Sequence, residues 1–311
     1  MMSRLALDAK TLYAVWAAFL ISLNLVVLLN AYSSNLSNLC CTYPLPAKDF
    51  SAYYTALWNL IHDPAKIYAS TPLITSEPSF YPTMEQFKYL PSFLILIFPL
   101  TTFNYQQAIT IFDAAQFLML PAIAWLLYSL LNEKDKRLPF VVAALVVFFP
   151  WPWPSYSISL PYFWLWKEGQ TKVLETLLLL CSFYFGKKQR PAISAAFLAL
   201  SFSDPRLGIL GMPAFVGYNA TKLRAAIAWS AVILAASNFA LIIPGAWSGF
   251  LDMVRSNGLT TKPYPYLLMP VLAVGFVSLL NRDELLVPLR SLITAARGLS
   301  PAPSPTPAPA P

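Results

Sequence analysis

Long apolar runs separated by short polar breaks dominate the chain, and they predict a series of helices. The runs are continuous and do not alternate with period two, which is typical of membrane-spanning helices and not of barrel strands. The first run, residues 11–29, has about the length of a span and no small-residue cleavage site at its end, so we expect a retained transmembrane helix. The later runs bring the predicted number of spans to about eight: residues 106–131, 139–155, 170–186, 191–203, 205–220, 225–245 and 266–281.

Two shorter patterns lie in the long connection 32–105 that follows the first predicted span. In DFSAYYTALWNLIHD, which starts at Asp49, apolar and aromatic residues recur at spacings of three and four, as in a helix that lies against a membrane surface. The members of this stripe are Phe50, Tyr53, Tyr54, Leu57, Trp58 and Ile61. The run at 88–100 is only about a dozen residues long and contains Pro91 and Pro99, so it predicts a re-entrant or surface-lying helix.

The composition agrees with a membrane environment. The 311 residues are 57% hydrophobic and 11% charged, whereas soluble domains carry about 25% charged residues. We therefore predict an all-α, polytopic membrane protein with one module over residues 1–299. The Pro- and Ala-rich tail 300–311 is predicted to be disordered.

The basic residues predict the orientation of the chain in the cell membrane. With the N-terminus in the cytoplasm, most of the 21 Lys and Arg residues fall on the cytoplasmic side, in the breaks 132–137, 186–190 and 221–224 and near the C-terminus. Residues 32–105, 148–170 and 246–266 then lie outside. This topological use accounts for the net charge of +7, so we predict no nucleic-acid partner.

Asp49 is the first candidate for chemistry, and two interpretations of it remain open. A carboxylate at or just before the first turn of a helix stabilises that helix, which is the simpler explanation. The alternative is a carboxylate held at the bilayer surface, where it can accept a proton from a hydroxyl group.

Arg206 and Gln170 also have two interpretations each. Arg206 interrupts two apolar runs, and an arginine there needs an anionic partner, either the nearby Asp204 or a lipid phosphate. Gln170 follows Gly169 at the predicted outer end of a helix, where its amide either marks the helix start or binds sugar hydroxyls. The cysteines lack metal-binding spacings, and the outer connection lacks a D-x-D pair, so no metal site or other cofactor is predicted.

The order of several short motifs resembles a known enzyme family. D-F-x-x-Y-Y follows the first predicted span, K-I-Y stands at 66–68, a Y-x-P precedes an apolar stretch and P-L at 89–100, and G-Q stands at 169–170. Over about residues 10–220, this order resembles the polyprenol-phosphate-mannose-dependent mannosyltransferases, glycosyltransferase family 87 of the GT-C superfamily. The catalytic subunit of the GPI first mannosyltransferase is a more distant relative.

The resemblance implies a GT-C-like membrane enzyme that moves one sugar, normally mannose, from a polyprenyl phosphate donor to a glycolipid or glycan acceptor outside the cytoplasm. Asp49 matches the family's acidic base. Displacement of a lipid phosphate also needs a positive charge near the leaving group, for which the candidates are Lys88, Lys172 and Arg206. The full set of expected donor- and acceptor-binding residues is Tyr53, Tyr54, His62, Lys88, Tyr89, Gln170, Lys172 and Arg206.

Two other function classes remain open. A lipid or solute transporter needs polar residues inside several spans, but Asp113 and Glu175 are the only acidic residues there, and no internal repeat is visible. A non-catalytic membrane subunit, derived from such an enzyme and assembling with a partner subunit, has the same sequence features. Substitution of Asp49 would distinguish the enzyme from the subunit.

Overall fold

The computed structural model describes residues 48–69, 87–131, 171–257 and 268–281, together with residue 285. The α-helices in these ranges are α1 (Lys48–His62), α2 (Ser92–Ile97), α3 (Tyr105–Leu130), α4 (Lys172–Lys187), α5 (Pro191–Ser201), α6 (Pro205–Tyr218), α7 (Leu223–Ser237), α8 (Pro244–Asn257) and α9 (Leu268–Leu280). Short 3₁₀ helices occupy Pro64–Lys66, Phe98–Thr102, Ala220–Lys222 and Phe239–Ile242. Since no strand occurs within the described ranges, the all-α prediction is confirmed there.

Two of the described helical stretches, Gln107–Leu130 and Ala220–Ser237, are long and apolar enough to cross a membrane. The predicted spans 11–29 and 139–155, like the tail 300–311, lie outside the described residues. The number of eight spans and the orientation of the chain therefore stay predictions.

The predicted span 225–245 is not one continuous helix. Helix α7 ends at Ser237, a 3₁₀ helix follows, and Pro244 begins α8, since proline fits the first turn of a helix but not its interior. The sequence interpretation assigned no helix to 246–266, yet α8 extends to Asn257. Its Trp247, Phe250 and Val254 have helical spacing, a signal that the short polar segment concealed.

Helix α1 forms as expected, but its apolar stripe, apart from the exposed Ile61, faces the protein and not a membrane surface. Phe50 and Tyr53 are buried at 0% and 2% exposure. The Phe50 ring centroid lies 5.0 Å from that of Phe112, and the Tyr53 centroid lies 4.9 Å from that of Phe93. The expectation of a membrane-facing stripe was wrong because periodicity shows which face of a helix is apolar, not what covers that face.

The buried residues form two apolar clusters that meet at the start of α4. One cluster joins α1, α2, the first half of α3 and part of α8. The other joins the second half of α3 with α4, α5, α6 and α9. Val173 belongs to the second cluster and Leu174 packs against the first, so the N-terminal end of α4 lies between them.

Close packing and buried hydrogen bonds hold α4 to its neighbours. A Cβ atom at Gly211 would lie 2.5 Å from Leu179 Cδ2, so the glycine allows α6 to pack closely against α4 with Leu179 in this position. Ser182 Oγ donates to the Ser194 carbonyl (2.9 Å) and Asn219 Nδ2 donates to Ser194 Oγ (2.9 Å). These contacts hold α4, α5 and the end of α6 against one another.

Candidate active site

The turn at Tyr89 is held from two sides. The Tyr68 hydroxyl donates to the Tyr89 carbonyl (3.0 Å), and the Leu90 amide donates to the Ser203 carbonyl (3.0 Å). Pro91 then leads into α2. Because Ser203 immediately precedes Asp204, the N-cap of α6, this turn places the Tyr89 side chain next to the start of that helix.

The start of α4 carries a buried cation and a buried carboxylate. Lys172 and Glu175 are three residues apart, so they share one helix face, and Lys172 Nζ donates to Glu175 Oε2 (2.7 Å). Thr171 Oγ1 donates to the other oxygen, Glu175 Oε1 (2.7 Å). A carboxylate in the first turn is also stabilised by the helix dipole.

The start of α6 is the sequence Asp204-Pro205-Arg206. Asp204 is the N-cap, with its Oδ1 accepting from the Arg206 amide (3.1 Å), and Pro205 occupies the first turn. The Arg206 side chain folds back onto the same carboxylate, with Nε donating to Oδ1 (2.9 Å) and Nη2 to Oδ2 (2.7 Å).

The two helix starts and the Tyr89 turn are joined by hydrogen bonds. Lys172 Nζ donates to Asp204 Oδ2 (2.8 Å) and to the Tyr89 hydroxyl (3.3 Å). The Tyr89 and Thr171 hydroxyls lie 3.3 Å apart, and the Tyr53 hydroxyl of α1 lies 3.3 Å from that of Tyr89. We call this set the buried polar network: Tyr53, Tyr89, Thr171, Lys172, Glu175, Asp204 and Arg206.

The network is buried except at one end, and its charges balance. Lys172 and Asp204 are each 2% exposed and Glu175 is 0% exposed, whereas the Arg206 side chain is 41% exposed. Two cations face two carboxylates, as burial of charge requires. Arg206 is therefore the part of the network that reaches the surface.

The protonation of the groups outside the predicted spans follows from their surroundings. Burial by itself raises the pKa of the Asp204 carboxyl, but the charges and hydrogen bonds of Lys172 and Arg206 outweigh burial and hold this pKa well below its ordinary range. Burial raises the pKa of the Tyr89 phenol, and the Lys172 charge offsets only part of this effect. At neutral pH Asp204 is thus a carboxylate and Tyr89 a neutral hydroxyl group.

The hydrogens and lone pairs of the network are almost fully used. The Lys172 ammonium has three hydrogens and three acceptors, Glu175, Asp204 and Tyr89. The Asp204 carboxylate accepts four hydrogen bonds, which fills its capacity. By contrast, the two hydrogens on Arg206 Nη1 and one on Nη2 have no acceptor among the described residues.

Asp49 lies beside the network. It is in the first turn of α1, one helical turn before Tyr53, and is partly exposed. Burial raises the pKa of Tyr53 most, followed by electrostatic interactions with Tyr89 and Asp49, so the Asp49 carboxylate is close enough to act on the Tyr53 phenol. Since the helix begins at Lys48, Asp49 is its second residue and lies within the first turn, not before it.

The structure thus brings together Tyr53, Tyr89, Lys172 and Arg206, with Asp49 next to Tyr53. Tyr54 and His62 lie elsewhere. The Tyr54 hydroxyl donates to the Phe103 carbonyl (2.8 Å). His62 is exposed at the far end of α1, where its ring stacks on Trp58 with centroids 4.0 Å apart.

Lys88 is exposed next to Tyr89 in the chain. Gln170 lies outside the described residues, so its expected role remains a prediction, and α4 begins at Lys172, two residues after it.

Three members of the network were not expected as site residues: Thr171, Glu175 and Asp204. Asp204 was considered only as a partner of Arg206, and that pairing is present in the structure. Glu175 was noted only as an acidic residue within a predicted span. The available signal was the occurrence of Lys172, Glu175 and Asp204 in apolar surroundings, where unpaired charges are costly.

Comparison with known proteins bears on the same residues. Residues 87–299 match a protein family that is described as Glycosyltransferase family 87. The matched range contains six of the seven residues of the buried polar network and begins after Asp49 and Tyr53. No curated protein and no solved structure matches the chain. The match covers more than half of the 311 residues, so the chain belongs to glycosyltransferase family 87.

Proposed function

We propose that this protein is a membrane glycosyltransferase that transfers a single mannose from polyprenyl phosphate mannose to a lipid-linked or glycan acceptor on the extracytoplasmic face. Membership of the family supports the glycosyl transfer. The low charge content and the two long apolar helical stretches support a membrane location. The donor, the sugar, the acceptor class and the side of the membrane belong to the proposal.

The proposed reaction is a direct displacement at the anomeric carbon. The Asp49 carboxylate accepts the proton of the acceptor hydroxyl, and the hydroxyl oxygen forms a bond to the anomeric carbon. The bond from that carbon to the phosphate oxygen breaks, and its electron pair leaves with the polyprenyl phosphate. A cation near this oxygen stabilises the developing charge.

The main support for the proposal is the buried polar network, which connects Tyr53 to Arg206 by hydrogen bonds through Tyr89, Lys172 and Asp204. The Asp49 charge acts on Tyr53 at one end, and the Arg206 side chain is 41% exposed at the other. A base and a cation are the two groups that the displacement needs. The network holds the elements that carry them in fixed relative positions, as efficient transfer between two bound substrates requires. Lys88, Tyr54, His62 and Gln170 keep their expected roles in donor or acceptor binding as part of the proposal.

The test is transfer by the purified protein in lipid vesicles. The protein is incubated with polyprenyl phosphate mannose and a panel of glycolipid acceptors, and the products are identified by mass spectrometry. We expect one acceptor to gain a single hexose. Absence of transfer to every acceptor by a protein with a cooperative melting transition would contradict the proposal and favour the non-catalytic subunit.

A further inference from the structure

We infer that Asp204 and Lys172 are positioning residues for Arg206, and that the outward edge of the Arg206 guanidinium binds the phosphate group of a polyprenyl phosphate. This inference deepens the proposed function and rests on it for the identity of the lipid. It changes the expected role of Lys172, which the sequence suggested as a direct phosphate ligand.

Lys172 has no ammonium hydrogen left to donate to a phosphate. Its three ammonium hydrogens are directed to Glu175 Oε2 (2.7 Å), Asp204 Oδ2 (2.8 Å) and the Tyr89 hydroxyl (3.3 Å), and its side chain is 2% exposed. A phosphate at Lys172 would have to displace one of these acceptors from a buried position. The contacts instead make Lys172 the group that fixes the position of Asp204.

The Asp204 carboxylate also has all its hydrogen-bond positions filled. One face of its carboxylate receives Lys172, while Nε and Nη2 of Arg206 hold it by two parallel bonds of 2.9 and 2.7 Å. With its lone pairs filled, the carboxylate has no capacity to act as a base or to contact a substrate hydroxyl. Its remaining effect is to hold the guanidinium plane in one orientation.

The Glu175 side of the network holds Lys172 in turn. Thr171 has one hydroxyl hydrogen, and Glu175 Oε1 at 2.7 Å is nearer than the Tyr89 oxygen at 3.3 Å, so Thr171 donates to Glu175. The neutral Tyr89 hydroxyl accepts from Lys172 and from the Tyr53 hydroxyl. Every group that contacts the Lys172 ammonium thus has its own partner, which keeps the ammonium from turning toward solvent.

The free edge of Arg206 has the geometry of a phosphate site. Asp204 occupies Nε and one hydrogen of Nη2, which leaves Nη1 and the other hydrogen of Nη2 without an acceptor among the described residues, on a side chain that is 41% exposed. Two parallel N–H groups of a guanidinium match two oxygens of a phosphate, which lysine cannot reproduce. Since Lys172, Glu175 and Asp204 are buried and Arg206 is 41% exposed, the guanidinium is the part of the network that a phosphate can reach.

The experiment is a double-mutant cycle on binding. Affinity for polyprenyl phosphate in detergent micelles is measured for the parent, Arg206→Lys, Asp204→Asn and the double variant. Neutral polyprenol and inorganic phosphate serve as separate ligands, which distinguishes the lipid chain from the phosphate group. The matched control is the exposed pair Asp252 and Arg255, with atoms 3.7 Å apart, changed to Asn and Lys in the same way.

We expect Arg206→Lys and Asp204→Asn each to weaken polyprenyl phosphate binding about tenfold, as loss of one well-oriented charged contact does. In the Arg206→Lys background, Asp204→Asn should change affinity by less than about twofold, because the residue acts through the guanidinium. Polyprenol binding and the Asp252 and Arg255 variants should remain at parent affinity. Equal losses from Asp204→Asn in both backgrounds would overturn the positioning role, and unchanged phosphate-lipid affinity in Arg206→Lys would overturn the site.

If Asp204→Asn does not fold, Asp204→Glu replaces it in the cycle. That variant keeps the charge but displaces the carboxylate by one methylene, and the same coupling is expected. Lipid binding is measured independently of sugar transfer, so the experiment can contradict the positioning role and the proposed function separately. Coupled binding without transfer contradicts only the proposed function, whereas transfer with additive binding losses contradicts only the positioning role.

Discussion

The Lys172 ammonium lies 2.8 Å from the Asp204 carboxylate, although the two residues belong to the starts of different helices, α4 and α6. Both side chains are buried, so the pair is not a surface contact that water screens. Removal of the Lys172 side chain leaves the network with one buried charge that has no partner, in a position that water does not reach. The pair therefore fixes the relation between two helix starts as well as the charge of the site.

Replacement of Lys172 by Met should destabilise the protein by about 3–5 kcal/mol, since Glu175 and Asp204 lose their shared buried cation. The double variant Lys172→Met, Glu175→Gln should recover part of this loss because it removes one unpaired charge. Thermal melting in detergent measures both. Lys188→Met, at an exposed position near the end of α4, is the control and should remain within about 0.5 kcal/mol of the parent. A melting temperature of Lys172→Met equal to that of Lys188→Met would contradict the prediction.

Asp49→Asn should reduce sugar transfer about 100-fold to 10,000-fold, because the amide cannot take up the proton of the acceptor. Stability should change by less than about 1 kcal/mol, which is the size of a favourable helix-dipole contact in the first turn. Asp49→Ala should lose activity as well and some stability of α1. The control is Asp63→Asn, which changes a carboxylate that directly follows α1 and pairs with Lys66 (2.8 Å). This variant should transfer sugar at the rate of the parent. Near-normal transfer by Asp49→Asn would leave Asp49 with a structural role alone.

Sugar transfer should not depend on a divalent metal. The proposed donor carries a single phosphate, and the proposed partner of this phosphate is Arg206, whose side chain is 41% exposed. The assay is repeated after chelation with EDTA and after addition of Mg²⁺ or Mn²⁺, and equal rates are expected. If chelation abolished transfer and metal restored it, the role of Arg206 at the phosphate would be wrong.

Gln116 provides a test of stability away from the site. Its side chain is 0% exposed, and neither its Nε2 nor its Oε1 has a hydrogen-bond partner in the part of the chain that the structure describes. Gln116→Met keeps the shape and removes two unsatisfied polar atoms, so stability should stay equal or rise by about 1–3 kcal/mol. Gln107→Met on the same helix removes the acceptor of the Asn104 amide (3.3 Å) in a capping box and should lower stability slightly. A loss of stability in Gln116→Met larger than that in Gln107→Met would contradict this account.

The orientation of the chain is tested by cysteine labelling. In a background with Cys40, Cys41 and Cys181 changed to Ser, we expect Asp135→Cys to be protected from a membrane-impermeant reagent in intact cells, because residues 132–137 are predicted to be cytoplasmic. Asp63→Cys should be labelled, since 32–105 is predicted to lie outside. Labelling of position 135 from outside would reverse the predicted topology.

The sequence was sufficient for most described helices because long apolar runs and their proline or asparagine boundaries are local signals. Helix α3 and helices α4 to α6 lie within a few residues of their predicted limits. Helix α8 was missed because its 14 residues mix polar and apolar positions, and a search for continuous apolar runs does not detect such a helix. The stripe of α1 was detected, but its partner was not, since burial against α2 and α3 depends on tertiary packing.

The sequence predicted several individual residues of the site, but not the hydrogen bonds and ion pairs that join them. Tyr53, Tyr89, Lys172 and Arg206 were selected from the motifs and from the cost of placing charge near apolar helices. The bond from Lys172 to Asp204 joins residues that are 32 positions apart, and the bond to Tyr89 spans 83 positions. Which acidic group faces which cation depends on how the helix starts meet, and no local pattern contains that information.

The Lys172 contacts also have a consequence for the order in which the protein assembles during synthesis. Glu175 is three residues away from Lys172, so the two charges can pair as soon as the first turns of α4 exist. Asp204 and Arg206 leave the ribosome later, and only then does Lys172 acquire its second carboxylate. A nascent chain that ends between α5 and α6 therefore contains the Lys172–Glu175 pair but not yet Asp204 and Arg206. The proposed lipid-phosphate site requires the later step that brings α6 against α4.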